Sequence, residues 1–344
     1  MRLRTIVFAA ALLAMLAPSA TPASAGGDAT KQTVAKRTAE GPVVTPLAEF
    51  GSGLASGSTI GPDGALYVTD PNAGSVLRVD RRTGATSTYA DGLPPQVLGV
   101  GGAMDVEFIG RTAYVLVTMV GGDIVGGGPI GDATVGIYRL GRHRNVKVIA
   151  DIGQWSVEHP PATDFFITTG VQYALQRHGR GFLVTDGHHN RVLHVGLHGD
   201  IAEVRAFGNV VPTGLETIGS VVLAAQAGPL PHDPDDGKVV AFVRRWGGAI
   251  DLARGASLLV DVEFSRRAGL YALSQGHWDG MAEGSPASPD TGRLVKVSRH
   301  GHLVPVRDAN GSEIVLDRPT SLELVGNTAY VVGLSGTVVK IKNL

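Results

Sequence analysis

The residues in this chain that could do chemistry are spread along it, and three short stretches hold the densest sets. "PHDPDDGK", Pro231 to Lys238, brings Asp233, Asp235 and Asp236 close together, and oxygen donors at that density suggest a calcium loop. It lacks the bidentate glutamate and the full ligand spacing, so it reads as a solvated acidic turn. "GHHN", Gly187 to Asn190, sets His188 beside His189. Neighbours along a strand point to opposite sides, so two adjacent imidazoles fit one metal poorly, and the stretch reads as a plain turn. "GHWDGMAEG", Gly276 to Gly284, is the richest, with His277, Trp278, Asp279 and Glu283. A large aromatic in a long loop needs a reason to be there, which favours ligand contact over packing alone. No G-x-S-x-G elbow is present, and no cysteine can act as a nucleophile.

The elements that must position these residues form a repeat. In "GPDGALYVTDPNAGSVLRVDRRTG", Gly61 to Gly84, a turn at Asp63-Gly64 leads into Leu66-Tyr67-Val68, then Val76 to Val79, then a second turn. The pattern of strand, turn, strand, turn recurs five more times. "GRTAYVLV" precedes "VGIYRL", "GRGFLVTD" precedes "NRVLHV", and "GSVVLAA" precedes "GKVVAFV". "AGLYALS" precedes "GRLVKVS", and "GNTAYVVG" precedes "GTVVKI". Each pair has β-rich flanks, such as Asp105 to Phe108 before it or Asn145 to Ile149 after it. Four strands per unit, with a period of roughly 40 to 60 residues, is the signature of a β-propeller blade. The expected fold is therefore all-β: a six-bladed propeller of four-stranded antiparallel blades. The sixth unit ends after three strands, while Val44 to Phe50 is spare at the start. An N-terminal strand completing the last blade would close the ring and pair the backbone groups of its open edge.

Bulk properties agree. The 48 glycines and 19 prolines favour turns and short strands over helix. Arg2 and Arg4, the apolar run from Ile6 to Leu16, and Ala23-Ser24-Ala25 form an export signal over residues 1–25. Without a paired arginine, it fits the general export route better than the twin-arginine one. Residues 26–42 read as a flexible leader and 43–344 as the propeller. The expected location is outside the cell, free or wall-associated, with no stable membrane insertion once the signal is removed. A formal net charge of −1 gives no field to draw in nucleic acid.

The run "GPDGALYVTD…GSVLRVD" resembles blades of NHL and SMP-30/strictosidine-synthase-like propellers. With its signal peptide and the segments "TGVQYAL" and "GKVVAFV", the whole mature chain is similar to the ScyD/ScyE family of secreted bacterial propellers. The resemblance covers about Pro46 to Leu344. It implies a blade architecture and supplies no reaction and no catalytic residue.

Blade topology narrows the search for a site. The turns joining strands 1–2 and 3–4 emerge on one face, and they are short throughout. The long segments, 91–101, 119–134, 151–168, 226–236 and 275–291, all emerge on the other face, and long loops in compact domains are usually functional. Trp155, His159, Phe166, Asp186, His188, Gln226, Gln275, His277, Trp278 and Asp279 are the candidate ligand-contacting residues on that face. Glu107, Glu216, Glu263 and Glu323 share a register late in the first strand. Beside the short turns, each can be satisfied by solvent or a local amide, which makes them structural. Asp105 and Asp261 are the acids nearest the channel mouth. With Asp233, Asp235 and Asp236, they are the residues that could hold a divalent cation such as calcium, and no other cofactor is indicated. The leading expectation is non-catalytic binding of a small molecule, a glycan or an extracellular protein. The alternative is a metal-dependent lactonase- or esterase-like hydrolase.

Overall fold

The computed structural model describes residues 41–51, 53–124, 128–141, 145–229, 236–244, 246–280 and 285–344. The expected signal peptide, most of the leader, and Asp233, Asp235 and Glu283 lie outside them.

The described strands form six antiparallel sheets, each ordered as a meander. Blade one contains β2 (Ser58–Ile60), β3 (Leu66–Asp70), β4 (Ser75–Val79) and β5 (Thr86–Ala90). Blade two contains β6 (Gly102–Ile109), β7 (Thr112–Thr118), β8 (Gly136–Leu140) and β9 (Val146–Asp151). Blade three contains β10 (Gln172–His178), β11 (Gly181–Asp186), β12 (Arg191–Gly196) and β13 (Ile201–Ala206). Blade four contains β14 (Pro212–Ile218), β15 (Val221–Gln226), β16 (Gly237–Val243) and β17 (Trp246–Ala256). Blade five contains β18 (Leu259–Ser265), β19 (Gly269–Ser274), β20 (Gly292–Val297) and β21 (Leu303–Pro305). Blade six contains β23 (Pro319–Val325), β24 (Thr328–Gly333) and β25 (Thr337–Lys342). Its outermost strand is β1 (Val43–Glu49), which pairs antiparallel with β25 from Val43 opposite Lys342 to Glu49 opposite Thr337.

Burial across a blade explains the strand sequences. The second strands, such as "GFLVTD" in β11 and "VVLAAQ" in β15, are buried at every position. Neighbouring blades cover both faces there, so apolar residues run continuously instead of alternating. An outer strand such as β5, "TSTYA", is mostly exposed and mostly polar. The core lies between blades. One cluster joins Leu66, Val68 and Val79 of blade one to Tyr330, Val332 and Val338 of blade six, which ties the two ends of the ring. The two-residue hairpins between first and second strands begin with a left-handed glycine, for example Gly110 at φ 62° and Gly326 at φ 65°, where a Cβ would be strained.

Two small elements depart from the repeat pattern. A short helix, α1 (Ile152–Glu158), opens the segment between blades two and three. Asp151 caps it by accepting from the Gln154 amide at 2.8 Å. A two-residue strand, β22 (Val315–Leu316), pairs with the upper end of β20, so blade five carries an extra pairing. Among the described residues, no helix is long and apolar enough to cross a membrane.

Candidate functional site

The six inner strands converge on the central channel and bring the acids together. Asp105 on β6 and Asp261 on β18 belong to blades two and five, on opposite walls. Each acts as a clamp between blades. Asp105 accepts from its neighbour Val106 N at 2.8 Å and from Leu175 N of blade three at 2.7 Å. Asp261 accepts from Val262 N and from Leu322 N of blade six, both at 2.8 Å. On its other side each aspartate leaves no room for a side chain. A Cβ on Gly57 would sit 2.3 Å from Asp105 Oδ1, and one on Gly214 would sit 2.5 Å from Asp261 Oδ1.

Two residues further along the inner strands come Glu107, Glu216, Glu263 and Glu323. Glu107 accepts from Phe108 N at 2.7 Å, and Glu216 accepts from Thr217 N and from Phe264 N. Local amides therefore do satisfy part of the set. Contact among the acids adds to these amides, because the inner strands converge here. Glu263 and Glu216 lie close enough to influence each other's ionisation. Each of these acids also stays partly exposed in the channel. Burial pushes Glu107 and Asp261 up to about 7 and also raises Asp105, Glu263 and Glu323 well above the usual carboxylate range. The neighbouring carboxyls add to the shift, while Arg177 opposes it at Glu107. Tyr173 reaches across from blade three and donates to Thr320 O of blade six at 3.0 Å, and burial raises its phenol as well. With both oxygens of Asp105 and Asp261 on amides, these acids are poorly placed to ligate an ion. Among the described residues, no three histidines or acids come together as a metal-holding group.

On the loop-rich face, blade three carries a buried polar knot. Asp186 and Arg191 stand opposite each other in the β11–β12 register, and both are essentially inaccessible. Arg191 Nε donates to Asp186 Oδ2 at 3.0 Å. Its Nη1 donates to His159 O at 2.7 Å, and its Nη2 to Ser156 Oγ at 3.1 Å. Gln172 Nε2 donates to Asp186 Oδ1 at 3.3 Å, and Thr118 Oγ1 donates to Gln172 Oε1 at 2.8 Å. Histidine 189 is buried and donates from Nε2 to Ile167 O at 2.9 Å. Together these bonds fasten α1 and the segment after it onto blade three. Trp155 belongs to the same assembly: the Arg191 guanidinium lies 4.9 Å from its ring centroid, and the His159 ring stacks on it at 4.4 Å.

The other expected contact residues are dispersed around this face. His188 packs edge-on against the exposed Phe166 ring at 4.6 Å. Gln226 is buried at the end of β15, and its Oε1 has no partner among the described residues. Gln275 Oε1 accepts from Ala287 N at 3.0 Å. Trp278 is half-buried, packs against Ala227, Leu258 and Ala287, and donates to Ser285 Oγ at 3.0 Å. Asp279 accepts from Ser288 Oγ at 3.2 Å, His277 is exposed, and Asp236 is exposed at the end of its loop. Asp186, Trp155, His159 and His188 thus come together, while Gln226, Gln275, His277, Trp278 and Asp279 lie over blades four and five. The partners that had been missed are Arg191, Ser156, Gln172 and His189. Arg191 was readable, since a residue five places after Asp186 across a four-residue hairpin faces it directly.

Two surface properties distinguish the faces. Of twelve exposed large apolar side chains among the described residues, six lie on the loop segments joining blades one to two and two to three: Val97, Leu98, Val100, Val157, Phe165 and Phe166. The loops of this face carry acids (Asp123, Asp132, Glu158 and Asp164) and no lysine or arginine. The short-turn face is the reverse. Its described turns carry Arg81, Arg82, Arg111, Arg180, Arg244, Arg266, Arg267 and Arg299 against Asp63, Asp80 and Asp200. The net charge of −1 hides this polarity.

This arrangement is that of a six-bladed β-propeller. No protein-family model matches the chain, and no curated protein does. Solved structures do match. A gluconolactonase from Xanthomonas campestris superposes with a TM-score of 0.57 at 12% identity, covering 95% of this chain and 99% of that one. A putative gluconolactonase gives 0.52 at 12% identity over 88% and 92%. A virginiamycin B lyase from Staphylococcus aureus gives 0.51 at 11% over 88% and 99%. At such identities the likeness is one of fold, which hosts unrelated functions.

Proposed function

We propose that this chain is an exported, non-catalytic binding propeller that engages a polypeptide partner through the loop-rich face of blades one to three. The observation that carries this reading is the concentration of exposed Val97, Leu98, Val100, Val157, Phe165 and Phe166 on two loops of a face that also carries acids. Contiguous exposed apolar surface rimmed by polar residues marks interaction sites. The partner it fits offers apolar side chains with basic ones around them. A glycan or small flat ligand has less support, because Trp155 and Trp278 are engaged within the protein. Export rests on the signal-like residues 1–25, and membership of the ScyD/ScyE family remains part of the same proposal.

The hydrolase alternative loses support from the channel, where Asp105 and Asp261 clamp blades together through backbone amides. The test is affinity capture of surface and culture-fluid proteins by the wild type and by a Leu98→Ser, Phe165→Ser, Phe166→Ser variant. The substituted side chains are exposed, so folding is preserved and melting stays close to wild type. A specific partner held by the wild type and weakened at least tenfold by the variant is the expected result. Equal capture by both would remove this face from the reading.

A further inference from the structure

The opposite face carries a separate inference, independent of the partner reading above. We propose that the short-turn face is a docking plate for an acidic polysaccharide, seated in the groove between blades one and two. The groove has a volume of about 740 Å³, within the usual range of ligand sites, and Tyr89, Arg111, Arg139 and Asn145 line it. Asp91 also lines it, so among the described residues two guanidiniums face one carboxylate. Both arginines are exposed, and neither is ion-paired among the described residues. The same face also carries Arg266 and Arg267 on blade five, across the ring from the groove. Against eight arginines, the described turns of this face carry three aspartates. Asp63 accepts from Arg78 at 2.7 Å, and Asp80 accepts from the amides of Arg82 and Thr83.

The chemistry of the groove selects the ligand. A guanidinium forks onto a carboxylate or sulfate with two parallel hydrogen bonds. Tyr89 is 40% exposed and held edge-on against Tyr67 at 4.9 Å, so it offers an immobile apolar surface with a polar tip. Repeated anions on rings with one apolar face describe a uronate or sulfated saccharide. A bilayer would call for apolar tips to insert, and the described turns carry no exposed large apolar side chain. Single-stranded nucleic acid would call for several stacking platforms, and this groove has one aromatic ring.

The test measures binding of fluorescent oligogalacturonate to the full mature chain at about 50 mM and about 500 mM salt. Neutral dextran, a DNA oligomer and anionic phospholipid vesicles serve as comparison arms. Saturable oligogalacturonate binding that falls at high salt and exceeds every comparison arm is expected. Arg111→Ala with Arg139→Ala should weaken it at least tenfold, and Arg266→Ala with Arg267→Ala by about two- to threefold. Arg111→Lys with Arg139→Lys should fall between wild type and the alanine pair, since charge survives and the fork does not. The lysine pair also guards against a folding defect. Absence of saturable binding, a groove variant that binds like wild type, or stronger binding to dextran, DNA or vesicles would each overturn the proposal.

Discussion

Two buried acid sites in this ring solve the same problem differently. Asp186 in blade three has a cation: Arg191 lies against it, and Gln172 takes its other oxygen. The channel carboxyls have amides and one another, with Arg177 a cation beside Glu107. Buried charge is tolerated when it is paired and hydrogen-bonded, and otherwise the group takes a proton. Blade three therefore holds an ion pair, whereas the channel acids bind protons more readily than ordinary carboxylates. The first arrangement fastens a loop, and the second makes the contacts between blades sensitive to pH.

The largest expected effect comes from breaking the pair. Arg191→Met leaves Asp186 buried without its cation and frees His159 O and Ser156 Oγ. A loss of about 3–5 kcal/mol is expected in urea unfolding, with early proteolysis after α1. Adding Asp186→Asn should recover much of the loss, because the uncompensated charge is then gone. A cost below about 1 kcal/mol for Arg191→Met would show that the pair is not the anchor of this loop.

The channel should answer to pH in the direction its protons dictate. Glu107 and Asp261 titrate at about 7 in the folded protein, against ordinary values of 4.5 and 3.8. The folded chain thus holds these protons more tightly than the unfolded chain. Their contribution is complete below the ordinary values and is lost as pH rises through about 7. For Glu107 alone the shift corresponds to roughly 3 kcal/mol at most. Melting temperature should therefore fall between pH 5 and pH 8. Glu263→Gln keeps a neutral donor beside Glu216, so it should flatten that fall and stabilise the protein at pH 8 by about 1 kcal/mol. A melting temperature that holds level or rises over this range would contradict a proton-filled channel.

The two sites were legible in the sequence to different degrees. Blades, ring order and the long-loop face follow from a repeated pattern of turns and β-rich triplets, and repetition survives uncertainty in any one copy. Asp186 and Arg191 follow from hairpin register, a local rule. The channel acids do not. Glu107, Glu216, Glu263 and Glu323 share a register that marks them as equivalent, but their mutual contact depends on how closely six inner strands approach. That distance is set by packing between blades, in clusters such as the one joining Leu66 and Val68 to Tyr330. The role of Asp105 and Asp261 was hidden for a related reason. Their acceptor oxygens serve amides in another blade, at Leu175 and Leu322. The extra strand β22 and the helix α1 follow no repeat, so periodicity gave no sign of them.

Tyr173 offers the smallest effect and the cleanest control on the channel. It spans the channel from blade three to blade six with a single hydrogen bond, and burial keeps its phenol neutral well beyond the range in which the carboxyls titrate. Tyr173→Phe removes that bond and leaves ring packing in place, at a cost of about 0.5–1.5 kcal/mol. A neutral group contributes no proton linkage, so the loss should be the same at pH 5 and pH 8. The slope of stability with pH should then match wild type, while Glu263→Gln flattens it. If Tyr173→Phe changed the slope as Glu263→Gln does, the linkage would belong to general loosening of the channel and not to its carboxyls.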